Sequence, residues 1–291
     1  MTAMVAAFCA AAAPIPIPVP NASFEFPATP FVSPSVAEWQ RTPKPPDYDD
    51  ETNFAWDLAA GVFLNPGPGQ DGHKENAEGR QALYLFAVPG NGILLDGTGP
   101  AGAFPAIYEP GNAYTLTVAL IGGGGNMLEG TSLRLVLHAV TDAGERLTVA
   151  FDEILHSAQR FPTLTRFVDV AVTVPPVLPG DPWAGRPLGI GLYSAVQAGS
   201  GLEGGYWDVD NVRLTAFRPA ELRITPVAGS ETPRITWAGE AGLWYQVQTS
   251  DHLDAWSDWD APLAGTGEPL TVRLPTDFTG PLYVRVRLVN W

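Results

Sequence analysis

The sequence is short of cysteine, lysine and long hydrophobic runs. It has one cysteine among 291 residues, Cys9, so an intrachain disulfide framework and a cysteine-based metal site are both excluded. No uninterrupted apolar run reaches the roughly 18 residues that a membrane span needs. Lysine occurs only at Lys44 and Lys74, and the 16 basic residues face 31 acidic ones. A net charge of −15 is repelled by phosphate backbones, so nucleic acid is not an expected partner.

Glycine and proline, by contrast, are abundant. The chain has 31 glycines and 29 prolines, which argues against long helices and favours short strands joined by many turns. Hydrophobic residues make up 45% and charged residues 16%, so a substantial core can form. The length allows two domains of ordinary size. Composition therefore predicts an acidic, all-β protein of two domains.

The first 20 residues differ from the rest of the chain. Residues 1–13 are apolar and rich in alanine, and they resemble the end of a secretory signal, although no basic residue precedes the apolar run. The alternative is an ordered apolar arm that lies in a hydrophobic groove. Residues 14–20 alternate proline with aliphatic residues, which predicts an extended spacer or an edge strand. This start favours an extracellular or cell-surface location.

Strand-like segments follow, several of them with period-two alternation. A single helical turn is expected near Glu153–Gln159, and Gly122–Gly125 is expected to be a turn. A domain boundary is predicted at Phe217–Ala220, giving a larger domain over residues 21–217 and a smaller one over 221–291. The predicted strands of the larger domain are Ser23–Phe26, Ala82–Ala87, Tyr114–Ile121, Ser132–Ala139, Leu147–Phe151, Arg166–Val174, Leu188–Tyr193 and Trp207–Leu214.

Two carboxylates near the ends of the larger domain need a partner. Strict alternation would place Asp208, Asp210, Val212 and Leu214 on one face, with the two apolar residues towards the core. Glu25 lies between two aromatic residues near the first strand. Because the first and last strands of a jelly roll lie side by side, Glu25 and Asp210 are expected to meet. They would then either share a hard cation such as calcium or bind backbone amides and water.

Further oxygen ligands for calcium are available nearby. The loop over residues 69–79 offers backbone carbonyls and carboxylates. The candidates beyond Glu25 and Asp210 are Asp208, the backbone of Ser23, Glu78 and Asp71.

Four segments in order carry a family resemblance. They are Asn21-Ala-Ser-Phe-Glu, Gly79-Arg-Gln-Ala-Leu-Tyr-Leu, Tyr114-Thr-Leu-Thr-Val and Asp210-Asn-Val-Arg-Leu. Together they resemble calcium-binding jelly rolls similar to family 4/9 carbohydrate-binding modules, over about residues 15–217. The resemblance implies a structural calcium held by Glu25, Asp210 and backbone oxygens. The calcium-dependent Stig cyclases also resemble this kind of domain.

The tail carries a second resemblance. Trp244-Tyr-Gln-Val-Gln-Thr-Ser-Asp-His-Leu-Asp-Ala-Trp, Ala264-Gly-Thr-Gly and Tyr283-Val-Arg-Val resemble a small sandwich found on secreted proteins of Verrucomicrobia-like bacteria. The resemblance implies that Leu253 and Trp256 are packing residues. Several short strands in about 70 residues fit a fibronectin type III or immunoglobulin-like β-sandwich.

Three functions remain open at this stage. The first is a secreted, non-catalytic module that binds a polysaccharide through exposed aromatic residues, for which Trp39, Tyr48, Trp56 and Trp183 are candidates. The second is a self-assembling filament or layer subunit that inserts its N-terminal strand into a neighbour. The third is a cyclase-type enzyme in which Asp208 is the acid and Tyr206 and Trp207 shape the pocket. The four histidines are scattered, and no nucleophile elbow or phosphate-binding loop is present.

Overall fold

A computed structural model gives the architecture. It describes residues 7–8, 14–98, 104–218, 223–225, 233–239, 244–252, 255–274 and 282–289. The chain divides into two compact units, one spanning Pro16–Ala216 and the other comprising Met1–Ile15 with Phe217–Trp291. Within the described residues, no helix is long and apolar enough to cross a membrane.

Nineteen strands and one short 3-10 turn, Trp56–Leu58, make up the regular structure of the described residues. The first thirteen strands are β1 (Ala7–Phe8), β2 (Ile15–Ile17), β3 (Val32–Ser33), β4 (Gln40–Arg41), β5 (Ala60–Leu64), β6 (Gln81–Phe86), β7 (Gly92–Leu95), β8 (Ala113–Gly124), β9 (Ser132–Val140), β10 (Arg146–Leu155), β11 (Val168–Val174), β12 (Leu188–Ser194) and β13 (Tyr206–Phe217). The remaining six are β14 (Arg223–Thr225), β15 (Arg234–Ala238), β16 (Trp244–Ser250), β17 (Ser257–Ala264), β18 (Pro269–Arg273) and β19 (Tyr283–Val289).

The larger unit is a sandwich of two sheets. One sheet has five strands in the order β10-β9-β12-β7-β4, and the other has the order β11-β8-β13-β6-β5-β3 with β2 paired to β13. The core lies between them and is built from alternate residues, such as Leu133, Leu135 and Leu137 of β9. The residues between these leucines face away from the core, as the period of a strand requires. The prediction of an all-β jelly-roll sandwich is confirmed.

Strict alternation fails at one point of β13. Trp207 and Val209 belong to the core, and so do Val212 and Leu214, which differ from them in parity. Asn211 lies between the two pairs with a φ of 47°, so the strand bulges there and the side-chain direction reverses. Asp208 and Asp210 therefore face away from the core, and the prediction that they share a face with Val212 and Leu214 is wrong.

Three local predictions were also wrong. Ser23–Phe26 is not a strand, because Asn21 and Phe24 adopt positive φ and the Asn21 side chain binds the backbone of Phe26. Glu153–Gln159 was expected to be a helical turn, but its first three residues belong to β10, where Glu153 and Leu155 pair with β9. Gly122 and Gly124, expected in a turn, extend β8.

The smaller unit contains two sheets, β1-β19-β16-β17 and β14-β15-β18. Its core includes Trp237, Tyr245 and Val286. β1 runs parallel to β19 of the same chain. Most of the predicted signal or apolar arm, at residues 1–6 and 9–13, lies outside the described residues, as does Leu253. The ring of Trp256 lies 4.3 Å from the Arg285 guanidinium.

Candidate functional site

An apolar pocket of about 450 Å³ opens on the outer face of the six-strand path, away from the core. Its floor is made by neighbouring residues of two paired strands, because Tyr206 lies opposite Phe86 and Asp208 lies opposite Tyr84. Segments before β5 and after it supply the walls. The lining residues are Phe31, Val32, Phe54, Leu58, Phe63, Leu64, Pro66, Gly72, Lys74, Tyr84, Phe86, Tyr206 and Asp208.

Aromatic rings contact one another along the pocket. The rings of Phe54 and Phe86 stack with centroids 3.8 Å apart and an interplanar angle of 9°. Tyr206 adds a tilted contact to Phe86 at 5.4 Å, and Tyr84 adds an edge contact at 6.0 Å. The Tyr48 hydroxyl donates a hydrogen bond of 2.5 Å to the Phe54 carbonyl and so anchors the loop that carries Phe54. The pocket therefore has aromatic walls suited to an apolar, flat ligand.

One ion pair lies in this apolar surrounding. Lys74 Nζ is 2.7 Å from Asp208 Oδ2, and Asp208 is only 3% exposed. Burial raises the pKa of Asp208, and the nearby Lys74 ammonium opposes that rise. The carboxyl group therefore holds a proton more readily than an exposed aspartate does.

Lys74 is fixed from both ends. Its Nζ also donates to the Leu164 carbonyl at 2.7 Å. Its backbone N–H and C=O both bond to the Asn65 side chain, at 2.8 and 3.0 Å. Lys74 was not predicted as a site residue. Its rarity was the available signal, since the chain has only one other lysine.

A second group of carboxylates lies at the segment before β6. Glu25 Oε1 accepts the backbone N–H groups of Arg80 and Gln81, both at 2.8 Å. Asp210 Oδ2 accepts the N–H of Glu78 at 2.6 Å, and Asp210 Oδ1 accepts that of Asn211 at 2.7 Å. Glu25 and Asp210 thus bind one short backbone segment, Glu78–Gln81.

Within the described part of the chain, the negative charge of Glu25 and Asp210 is balanced only by backbone N–H groups. Burial, together with the neighbouring charges of Glu78 and Glu25, raises the pKa of Asp210 to about 7 against its backbone hydrogen bonds. Gly79 allows the close approach of Glu25, because its φ is +77° and a Cβ there would lie 2.4 Å from Glu25 Oε1. A hard cation that takes backbone oxygens fits such a group. The described residues contain no cluster of three or more His, Cys, Asp or Glu side chains placed for a metal.

The other candidate metal ligands lie elsewhere or already have partners. Asp208 already has a cationic partner in Lys74, whose Nζ is 2.7 Å away. Asp71 is exposed in a turn, and Ser23 lies in the turn after β2. Glu78 contributes its backbone N–H, while its residue is exposed.

The aromatic residues predicted to bind sugar are not exposed platforms. Trp39, Tyr48 and Trp56 are buried, with Trp39 packed on Phe24 and Tyr48 packed on Trp56. Trp183 is partly buried against the core. Trp39 belongs to the main core cluster, whereas Tyr48 and Trp56 belong to a smaller cluster with Ala59 and Val88. Trp207 likewise lies in the core and does not line the pocket, whereas Tyr206 does.

A polar groove of about 700 Å³ lies on the outer face of the five-stranded sheet. His138 lines it, and its ring lies over Gly189, where a Cβ would be 2.2 Å from His138 Nε2. Asp96 accepts hydrogen bonds from Arg146 Nε at 2.7 Å and contacts His138 Nε2 at 3.3 Å. Burial opposes ionisation of Asp96, but bonds from Thr98, Arg146 and His138 outweigh it and lower its pKa.

No protein-family model and no curated protein matches the chain. Among solved structures it is similar to a cyclase from Fischerella sp. TAU in complex with 4-(1H-indol-3-yl)butan-2-one. The two are 27% identical over 71% of this chain and 99% of that chain, with a TM-score of 0.51.

Two further structures show the range of the likeness. A Stig cyclase from Fischerella sp. TAU in complex with (3Z)-3-(1-methyl-2-pyrrolidinylidene)-3H-indole is 26% identical over 72% of this chain and 100% of that chain, with a TM-score of 0.50. A tandem carbohydrate-binding module 22 domain from Paenibacillus barcinonensis is 10% identical over 95% of this chain and 91% of that chain, with a TM-score of 0.40. The protein therefore shares its β-sandwich fold with Stig cyclases.

Proposed function

We propose that the protein is a cyclase-type enzyme that binds an apolar, aromatic substrate in the pocket and transfers a proton to it from Asp208. The observation that carries this proposal is a carboxyl group, 3% exposed, among the aromatic walls of an open pocket. Buried carboxyls with raised pKa values are typical of acid–base catalysts. The likeness to cyclases that hold indole compounds supports an indole-bearing substrate.

Each group of pocket residues has a separate role in such a reaction. Protonation of a substrate double bond by Asp208 creates a cation that closes a ring on a nearby nucleophilic carbon, and loss of a proton to the same carboxylate ends the cycle. The aromatic rings that line the pocket stabilise the cation through the π faces that remain open to it. Lys74 holds the carboxyl group in place, and the apolar walls exclude water that would capture the cation.

The proposal predicts that the wild-type chain converts indole-bearing alkenes into ring-closed isomers of the same mass, detected by chromatography with mass spectrometry. Leu58→Arg, which places a charge at the pocket wall, should abolish conversion. Leu128→Arg is the matched control, because Leu128 is similarly exposed and does not line the pocket. Equal conversion by both variants would show that the reaction does not take place in this pocket. If the chain neither binds nor converts any member of an indole panel, the proposal is rejected.

We further propose that calcium stabilises the larger unit, held by Glu25, Asp210 and backbone oxygens. Two carboxylates on one backbone segment, one of them with a raised pKa, support this role. Calcium would supply the positive charge that this group lacks. A calcium requirement agrees with the extracellular location that the start of the sequence favours.

Calcium is expected to stabilise the protein more at pH 8 than at pH 5. Without a cation, folded Asp210 keeps its proton up to about pH 7, whereas the unfolded residue loses it near pH 4. The folded state then binds more protons, so stability falls as the pH rises from about 4 to about 7. Calcium at 100 times its Kd should add about 2.7 kcal/mol at pH 8. Thermal melts with calcium and with a chelator measure this difference in stability.

Asp210→Asn should remove both the pH slope and the calcium response. If both persist in that variant, Asp210 does not bind calcium.

The polar groove favours a second candidate function, glycan binding without catalysis. It combines the Tyr193 ring with hydrogen-bonding groups of Arg134, Arg146 and Ser194. Sugars bind to such mixtures of aromatic and polar groups. Retention on an insoluble polysaccharide, competed by the soluble form, would establish this function.

A further inference from the structure

We propose that Lys74 is a reactive amine that forms an imine with apolar aldehydes or ketones in the pocket. The inference deepens the proposed function by naming a carbonyl-bearing substrate class, and it rests on the same pocket. It needs no residue beyond Lys74 and Asp208, both of which line that pocket.

The choice of lysine at this position is the first argument. The chain has only two lysines among its 16 basic residues, so nearly all of its positive charges are arginines. A guanidinium binds a carboxylate through two hydrogen bonds and would serve a purely structural ion pair better than an ammonium does. Lysine offers what arginine cannot, a primary amine that adds to a carbonyl carbon. Lys44, the other lysine, lies on the surface and pairs with the exposed Asp50.

The surroundings of Lys74 are the second argument. The residue is 8% exposed, and its remaining exposure is in a pocket with apolar and aromatic walls. Two acceptors are within 2.7 Å of Nζ, Asp208 Oδ2 and the Leu164 carbonyl. An ammonium has three N–H donors, so one remains for a ligand. A carbonyl oxygen is an acceptor that can use this third donor, which would bring its carbon next to the nitrogen.

The chemistry balances without any further reactant. The amine nitrogen forms a bond to the carbonyl carbon, and the carbonyl carbon–oxygen bond breaks. Of the three ammonium protons, two leave with the oxygen as water and one stays on the iminium nitrogen. Asp208 carries protons between nitrogen and oxygen, and the positive charge is conserved on the iminium group. Apolar walls favour release of the water from the pocket.

The substrate class follows from the lining. Aromatic and aliphatic side chains form the walls, and Lys74 with Asp208 supplies the charged groups among the lining residues. A ketone with an aryl group two or three bonds from the carbonyl would pack its ring against the aromatic walls while its carbonyl meets Lys74. Small polar keto acids such as pyruvate lack that contact and would place a second carboxylate beside Asp208.

The experiment traps the imine by reduction. The full chain is incubated with 4-phenylbutan-2-one and sodium cyanoborohydride, digested, and mapped by mass spectrometry. We expect a reduced adduct on Lys74 and little on Lys44 or the α-amino group. Lys74→Arg should abolish the adduct while keeping the ion pair with Asp208, and Lys44→Arg should leave it unchanged. Pyruvate should label Lys74 at least tenfold less.

Each outcome decides the inference. Equal labelling of Lys44 and Lys74, or undiminished labelling of Lys74 in urea, would show ordinary lysine reactivity and overturn it. Calorimetric binding of the ketone, prevented by Leu58→Arg, without a trapped adduct would overturn it as well. If indole alkenes are converted and no adduct forms, the inference fails and the proposed function stands. If the adduct forms on Lys74 and no cyclisation is found, the proposed function fails and the reactive lysine stands.

Discussion

Asp208→Asn is expected to lower kcat for a substrate of the pocket by about 100- to 10,000-fold, the usual contribution of a general acid. The amide has nearly the shape of the carboxyl group but donates no acidic proton, so KM should change little. Steady-state kinetics on the purified variant measure both parameters. Asp142→Asn is the matched control, because Asp142 is almost fully exposed and its side chain contacts only Arg186 among the ion pairs described.

Stability must be measured alongside these kinetics. The Asn variant leaves Lys74 without its carboxylate partner, and a partly unfolded sample would also lose activity. Asp208→Glu restores a carboxyl group and should recover part of kcat if that group is the acid. If folded Asp208→Asn protein retains its kcat, Asp208 is not the proton donor.

Lys74→Met is expected to destabilise the larger unit by about 3–5 kcal/mol, because it removes the cationic partner of a buried carboxyl group and the hydrogen bond to the Leu164 carbonyl. The double variant Lys74→Met with Asp208→Leu should regain most of the loss, because two apolar side chains of similar volume suit the apolar pocket. Urea denaturation followed by tryptophan fluorescence measures the free energy of unfolding.

Lys44→Met is the matched control for this prediction. Its partner Asp50 is also an aspartate, but the two side chains are 40% and 45% exposed. An exposed pair of this kind contributes at most about 1 kcal/mol. Equal losses in the Lys74 and Lys44 variants, or a double variant no more stable than Lys74→Met, would show that the pocket pair is well solvated.

Alternation in the sequence was sufficient to locate most strands of the larger unit. Segments such as Ser132–Ala139 and Leu188–Tyr193 alternate apolar and other residues, and they became β9 and β12 with ends shifted by a single residue. In the smaller unit, alternation does not locate β17, because Ser257–Ala264 is mostly exposed and has no clear apolar face. β5 and β7 were missed for a different reason, since each is short and flanked by loops rich in glycine, proline and polar residues.

The carboxylates show which features of the site the local sequence pattern could predict. The expectation that the first and last strands of a jelly roll lie side by side predicted that Glu25 and Asp210 meet, and the structure places both on the Glu78–Gln81 backbone. Their calcium stays a prediction. The side of the strand that Asp208 occupies could not be predicted, because it depends on the positive φ of Asn211, which reverses the alternation.

The sequence by itself determined the composition-driven properties of this protein: an all-β chain with short strands, many turns and a net negative charge. These follow from local periodicity and from the frequencies of glycine, proline and charge. Only the tertiary structure decided the site. Lys74 meets Asp208 across 134 positions of sequence, and Phe54, Phe86 and Tyr206 meet through strand pairing and loop packing. Such contacts depend on which strands lie side by side, and that is fixed by burial of the whole core.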